Sequence, residues 1–297
     1  GFLIRRYSVQ GMLKEGQAAA VDVSGRIVSR AFRPRQVIRE MPEAAAFGIP
    51  GKRFDLADAL VGGNGFGTGD PNLGLDIITG TTAHARLDGP DFRARRLGGV
   101  SVSSLPFVDF VFGVDNQLGP IRVSSAGHEF VECPQTDGKV AVPYIWGGTF
   151  PRLPGRQIDG ELVLGGRRYG TRAMPAISIH ANAGVIFDLQ AIRDGLFDMR
   201  IGQLTALCGL SELAATAKLQ ETGSVSEGRA DFWVLVDGQV RFSRRGVQIR
   251  SGAATVTVSL TDADRFLSLV VTDGGDGYNY DWGAFVEPAI ELSANKS

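Results

Sequence analysis

The feature that most constrains this chain is the alternation of short apolar runs with glycine. Asp231 to Val236 leads into Asp237-Gly238 and then Gln239 to Phe242. An Asp-Gly step between two strand-length runs predicts a tight hairpin, because a type I′ turn needs positive φ at both central residues. Thr255 to Leu260 alternates strictly, which puts Val256, Val258 and Leu260 on one buried face. Phe266 to Val271 is more continuously apolar, the pattern of a central strand covered on both sides. Forty glycines in 297 residues are about twice the usual share of roughly 7%. Short strands at this spacing, with glycine turns and no βα alternation, predict an all-β fold, a sandwich or jelly roll.

Helical signals are few and short. Phe54 to Val61, closed by Gly62-Gly63, allows about two turns, and Asp188 is placed to cap Leu189 to Arg193. Leu210 to Leu219, rich in Ala and Leu, is the third candidate. The first 40 residues read as a small β meander turning at Gly16 and Gly25. Arg33-Pro34-Arg35 to Met41-Pro42 and Gly48-Ile49-Pro50-Gly51 punctuate the chain with proline and charge. The expected division is a short β segment over 1–40, a linker over 41–52 and a sandwich over 53–297.

Charge narrows the partners. Lys+Arg 31 against Asp+Glu 32 gives a formal charge of -1, so neither a nucleic acid nor an acidic lipid surface is expected. No stretch approaches the roughly 20 apolar residues of a membrane span. The chain opens on Gly-Phe-Leu-Ile without Met, the start expected of a processed fragment with its targeting segment upstream.

No catalytic constellation stands out, and no enzyme is expected. His84, His128 and His180 lack metal-ligand spacing, and a structural role is expected for His180. Val123-Ser124-Ser125-Ala126-Gly127 lacks the first glycine of a nucleophile elbow. Gly62 to Gly69 invites a phosphate-loop reading, but Asp70-Pro71-Asn72 follows where that loop needs a helix N-terminus, so a surface loop is expected. Cys133 and Cys208 are either two buried thiols or one bridge across the sandwich.

The most unusual segment runs from Asp273 to Trp282. Asp273, Asp276, Asn279 and Asp281 supply the oxygens, and glycine the backbone freedom, that calcium would need. The same loop suits a sugar. Trp282, Tyr280 and Tyr278 would stack on the C–H face of a pyranose, while Asp273, Asp276 and Asp281 accept its hydroxyls. Against both stands a plainer reading, in which the Asp residues satisfy loop N–H groups and the aromatics return to the core.

The C-terminal half resembles a known module. Ser178 to Leu189, then Phe232-Trp233-Val234-Leu235-Val236-Asp237-Gly238, then Leu267 to Gly277 and Asp281-Trp282 follow the order of the NPCBM family. The resemblance covers about residues 145–292 and implies a galactose-binding-like jelly roll that binds carbohydrate without catalysis. Many members carry Asp-His-x-x-Trp near the end, where this chain has Tyr280-Asp281-Trp282. Leu13-Lys14-Glu15-Gly16-Gln17-Ala18-Ala19, then Val21-Asp22, is similar to the end of a FecR-like domain. Together the two resemblances imply an extracytoplasmic envelope protein, in the periplasm or at the cell surface, with a membrane anchor upstream. Its partners would be a glycan and an envelope protein. The competing implication is a protein-interaction or sensing domain in cell-surface signalling that binds no sugar.

Overall fold

The structure is a computed structural model that describes residues 17–21, 27–31, 53–71, 73–84, 98–140, 144–149, 162–196, 199–225 and 227–294. The expected linker over 41–52 and the stretch Leu13 to Gly16 lie outside the described residues. Gln17–Val21 and Ile27–Ala31 pair as an antiparallel hairpin.

Two antiparallel sheets make the body. One runs in the order Ala254–Ser259, Met199–Leu210, Trp282–Ala294, Ala176–His180, Tyr144–Trp146, Leu73–Asp76, Thr82–His84, with Arg53–Asp55 paired alongside Trp282–Ala294. The other runs Gln239–Val247, Ala230–Val236, Phe266–Thr272, Ala183–Asp188, Val108–Gly113, Val100–Ser101. Successive strands cross from sheet to sheet, as from Ala176–His180 to Ala183–Asp188 and from Phe266–Thr272 to Trp282–Ala294. That crossing connectivity is the jelly-roll solution to packing two antiparallel sheets. The expected all-β sandwich with few short helices is the fold observed.

The inner faces meet in one core, with Val185, Phe187, Phe232, Val234 and Leu269 from one sheet against Ile177, Ile179, Leu204, Phe285 and Ile290 from the other. Phe232 and Phe285 touch edge to face, with centroids 5.6 Å apart. The outer faces are covered too. Phe110, Phe112, Ile186, Trp233 and Val270 pack under Val123, Phe130 and Cys133. Trp146, Ala176, Ala284 and Val286 pack under the hairpin Leu162–Leu164/Arg167–Tyr169. Covering on both sides is why Phe266–Thr272 and Ala230–Val236 are buried at every residue and read as apolar runs.

The local signals mostly match. Asp237 and Gly238 have φ 50 and 80, as a type I′ hairpin requires. Val256, Val258 and Leu260 are buried. Asp188 Oδ1 accepts from Ala191 N at 2.9 Å and caps the helix Leu189–Gly195. The third helix differs from expectation, running over Leu213–Thr222 and ending at Gly223 with φ 69. It starts late because Leu210 is still paired to Gly283 as the last residue of the twelve-residue strand Met199–Leu210. Cys133 and Cys208 are free thiols in separate clusters, and burial pushes both up to about 12.

Candidate functional site

Of the two glycine-rich loops, the first is expected from the sequence to be a plain surface loop and the second a ligand loop, and Asp58 decides the first. Its carboxylate accepts from Gly65 N at 2.8 Å and Gly69 N at 2.6 Å. A Cβ on Gly63 would lie only 2.2 Å from that carboxylate, so glycine is needed there for the chain to close around it. From outside, Arg172 donates to Gly67 O at 3.0 Å and to Gly69 O at 3.1 Å. Two of the N–H groups a phosphate would need are therefore taken by a carboxylate, whose charge would repel a phosphate as well. The loop is a structural closure over the short helix Leu56–Leu60.

The second loop joins the two sheets at one end of the sandwich, between Thr272 and Trp282. Its first half is tied inward. Buried Asp273 accepts from Asp137 N at 2.7 Å, Gly275 N at 3.0 Å and Asn182 Nδ2 at 3.3 Å. Asn182, fully buried with φ 69, also donates to Asp137 Oδ1 and Lys139 O at 2.9 Å and accepts from Asp273 N at 3.1 Å. Left-handed φ suits Asn because its short amide meets nearby backbone groups. Asn182 thus fastens three connections together, a role that its place in a short Ala-Asn step did not reveal.

Asp281 closes the far end of the loop. It is fully buried, its Oδ1 accepts from Arg229 N at 2.8 Å, and its Oδ2 has no hydrogen-bond partner. Burial first, then the charges of Asp276, Asp273 and Asp137, push its carboxyl up to about 9. The group is consequently neutral at physiological pH. Among the described residues, no three His, Cys, Asp or Glu side chains group so as to hold a metal ion. Asp273, Asp276, Asn279 and Asp281, the set expected for calcium, do not gather as one ligand group, and Asp273 is committed to N–H donors.

The aromatics divide as well. Tyr278 is half-buried against the inter-sheet core, 6.0 Å from the His180 ring, with Lys139 Nζ 5.9 Å from its centroid. Trp282 is half-buried against the outer cluster of Trp146, Leu162 and Tyr169. Tyr280 lines a cavity. That cavity is open, about 600 Å³, and is lined also by Asp276, Asn279, Lys218, Val225, Glu227 and Gln248. Tyr280 has φ 66, a left-handed conformation that a bulky residue rarely adopts and that costs about 1–3 kcal/mol. Lys218 Nζ stands 5.5 Å from its ring centroid.

Of the seven expected residues, the structure brings Asp276, Asn279 and Tyr280 to the cavity, while Asp273, Tyr278, Asp281 and Trp282 fasten the loop to the body. The facing wall, Lys218 to Gln248, was missed because it comes from the end of a helix, a loop and the end of an edge strand. Only the fold gathers these positions.

No hydrolytic triad forms around Ser124 and Ser125. His128 Nδ1 meets Ser124 Oγ at 3.0 Å, but Asp109 holds Ser125 through its N–H and Oγ rather than the imidazole. His180 is buried with Nδ1 unbonded, and burial pushes it down to about 4, so it stays neutral, as a structural histidine does.

Residues 159–291 match the NPCBM/NEW2 domain. This stretch contains the second loop and every residue lining the cavity. No curated protein matches the chain. Among solved structures, the chain is similar to CBM51 from Clostridium perfringens GH95 in complex with methyl-galactose, at 20% identity and TM-score 0.35, over 44% of this chain and 80% of that one. It is also similar to the tandem CBM51 modules of a family 98 glycoside hydrolase from Streptococcus pneumoniae, at 14% identity and TM-score 0.38, over 71% of this chain and 51% of that one.

Proposed function

We propose that this chain is a non-catalytic carbohydrate-binding sandwich whose ligand sits in the cavity beneath Asp276, Asn279 and Tyr280. The observation that carries the reading is the strained Tyr280, held in a left-handed backbone at the wall of an open polar cavity. A pyranose presents an apolar C–H face and a rim of hydroxyls. The Tyr280 ring suits the first, and the Asp276, Asn279 and Gln248 side chains suit the second. The NPCBM/NEW2 match over the same residues supports this reading.

A glycan-array screen of the purified chain tests it. Saturable binding is expected, with loss in Tyr280→Ala while the fold is retained. Binding by Tyr280→Ala at the wild-type level would contradict this site, and a blank array with folded protein would contradict the reading as a whole. The expected calcium set does not gather as one ligand group among the described residues, so a chelator should leave binding unchanged.

The finer setting is part of the same proposal. The chain would act outside the cytoplasm, in a bacterial envelope protein that joins a FecR-like segment to the sandwich. The Leu13 to Asp22 likeness supports this setting. Protease accessibility of the natural protein on intact cells tests it, with cleavage expected and full protection the contrary result.

A further inference from the structure

Resting on the carbohydrate reading of this cavity, we infer that Lys218 is a latch on the sugar platform. In the free chain its ammonium covers the Tyr280 ring, and a ligand must displace it to stack there. Lys218 Nζ stands over the ring, 5.5 Å from the centroid. Both residues line the cavity, so the face that the ammonium covers is one turned toward a ligand. The contact joins separate walls, since Lys218 belongs to the helix Leu213–Thr222 and Tyr280 to the loop between Thr272 and Trp282.

The two occupants compete because the same property of the ring draws both. The negative π face attracts an ammonium, and it attracts the weakly positive C–H face of a pyranose. The backbone of the platform is fixed, because Tyr280 O accepts from Trp282 N at 2.9 Å and the next residue, Asp281, is buried and accepts from Arg229 N. The movable partner is the lysine. Among the described side chains of its helix only Ala214 and Ala217 are buried, so no large side chain locks the last turns in place. Lys218 itself is half-exposed, with its ammonium on a flexible four-carbon stem.

A cation–π contact open to water is strong enough to weaken binding and too weak to forbid it. A ligand that needs the ring uncovered has its affinity reduced by the fraction of chains in which the ring is already uncovered. The latch therefore lowers affinity for neutral sugars by about two- to fivefold. It also favours ligands whose apolar face is broad enough to replace the ammonium on the ring.

The test is calorimetric titration of wild type, Lys218→Gln and Lys218→Arg with neutral probes. These are methyl galactoside, lactose, N-acetylglucosamine and the strongest neutral glycan from the array, none of which carries a charge for Lys218 to attract. Lys218→Gln should bind about two- to fivefold more tightly than wild type. Lys218→Arg keeps a cation over the ring and should not. In proton NMR of the free chain, the Lys218 ε-methylene should lie upfield of its position in Tyr280→Ala, and it should move downfield as glycan is added. Binding by Lys218→Gln equal to or weaker than wild type would overturn the latch and leave the carbohydrate reading standing. So would an ε-methylene resonance that Tyr280→Ala leaves unmoved. Failure of folded wild type and Lys218→Gln to bind any probe, together with a blank glycan array, would overturn both.

Discussion

The two glycine-rich loops use the same device to opposite ends. In each, a buried aspartate gathers backbone N–H groups, Asp58 from Gly65 and Gly69 and Asp273 from Gly275 and Asp137. The first loop is closed from outside as well, by Arg172 on the Gly67 and Gly69 carbonyls. The second is anchored at Asp273 and again at Asp281, and between those anchors Asp276, Asn279 and Tyr280 face an open cavity. Glycine and aspartate content therefore does not identify a ligand loop. What matters is whether side chains remain facing outward once the anchors are made.

The largest effects should come from the anchors. Asp58→Ala leaves two loop N–H donors without their acceptor, and Asp273→Ala does the same to Asp137 N and Gly275 N and takes one acceptor from Asn182 Nδ2. Each should lower stability by about 2–4 kcal/mol in urea denaturation. A loss below about 0.5 kcal/mol at either site would break the comparison. Between the anchors, Asp276→Ala should change stability by no more than about 0.5 kcal/mol while weakening glycan binding. A large stability loss there would move Asp276 into the structural half.

The Asp281 anchor makes its own prediction with pH. Its carboxyl stands at about 9 in the fold against about 3.9 unfolded, so the folded chain holds a proton that the unfolded chain releases. The associated stability is present in full below about pH 4 and is lost as pH rises toward 9. His180, lowered to about 4 by burial, acts in the other direction and only below the ordinary histidine range. Between pH 7 and 9, wild type should lose stability relative to Asp281→Asn, and parallel urea midpoints across that window would contradict a buried neutral Asp281.

At Tyr280 two effects on stability oppose each other. Tyr280→Gly relieves the left-handed backbone but adds unfolded-state entropy, so stability should move by less than about 1 kcal/mol. Binding should be lost nonetheless. Loss of stability without loss of binding would assign the ring to packing.

Most of the sandwich was legible because its signals are local. The Asp237-Gly238 turn, the alternation at Val256, Val258 and Leu260, and the Asp188 cap each depend on a few adjacent residues. Met199–Leu210 was harder to read, since its buried and exposed residues do not alternate cleanly and its pairing with Trp282–Ala294 shifts register twice. The loop at 273–282 stood out by composition, yet its division into anchors and outward residues depends on Asn182 and Asp137, 91 and 136 residues from Asp273. Periodicity carries no trace of such contacts, nor of the cavity wall from Lys218 to Gln248.

The central claim is that the outward half of the second loop is where a glycan binds. Backbone amide NMR of the purified chain, titrated with the strongest glycan from the array, tests this most directly. The account predicts shift changes concentrated at Asp276 to Tyr280, Val225 to Gly228 and Gln248, with Gly62 to Gly69 unmoved. Changes centred on the Gly62 to Gly69 loop, or on Trp146 and Tyr169 beside Trp282, would contradict it.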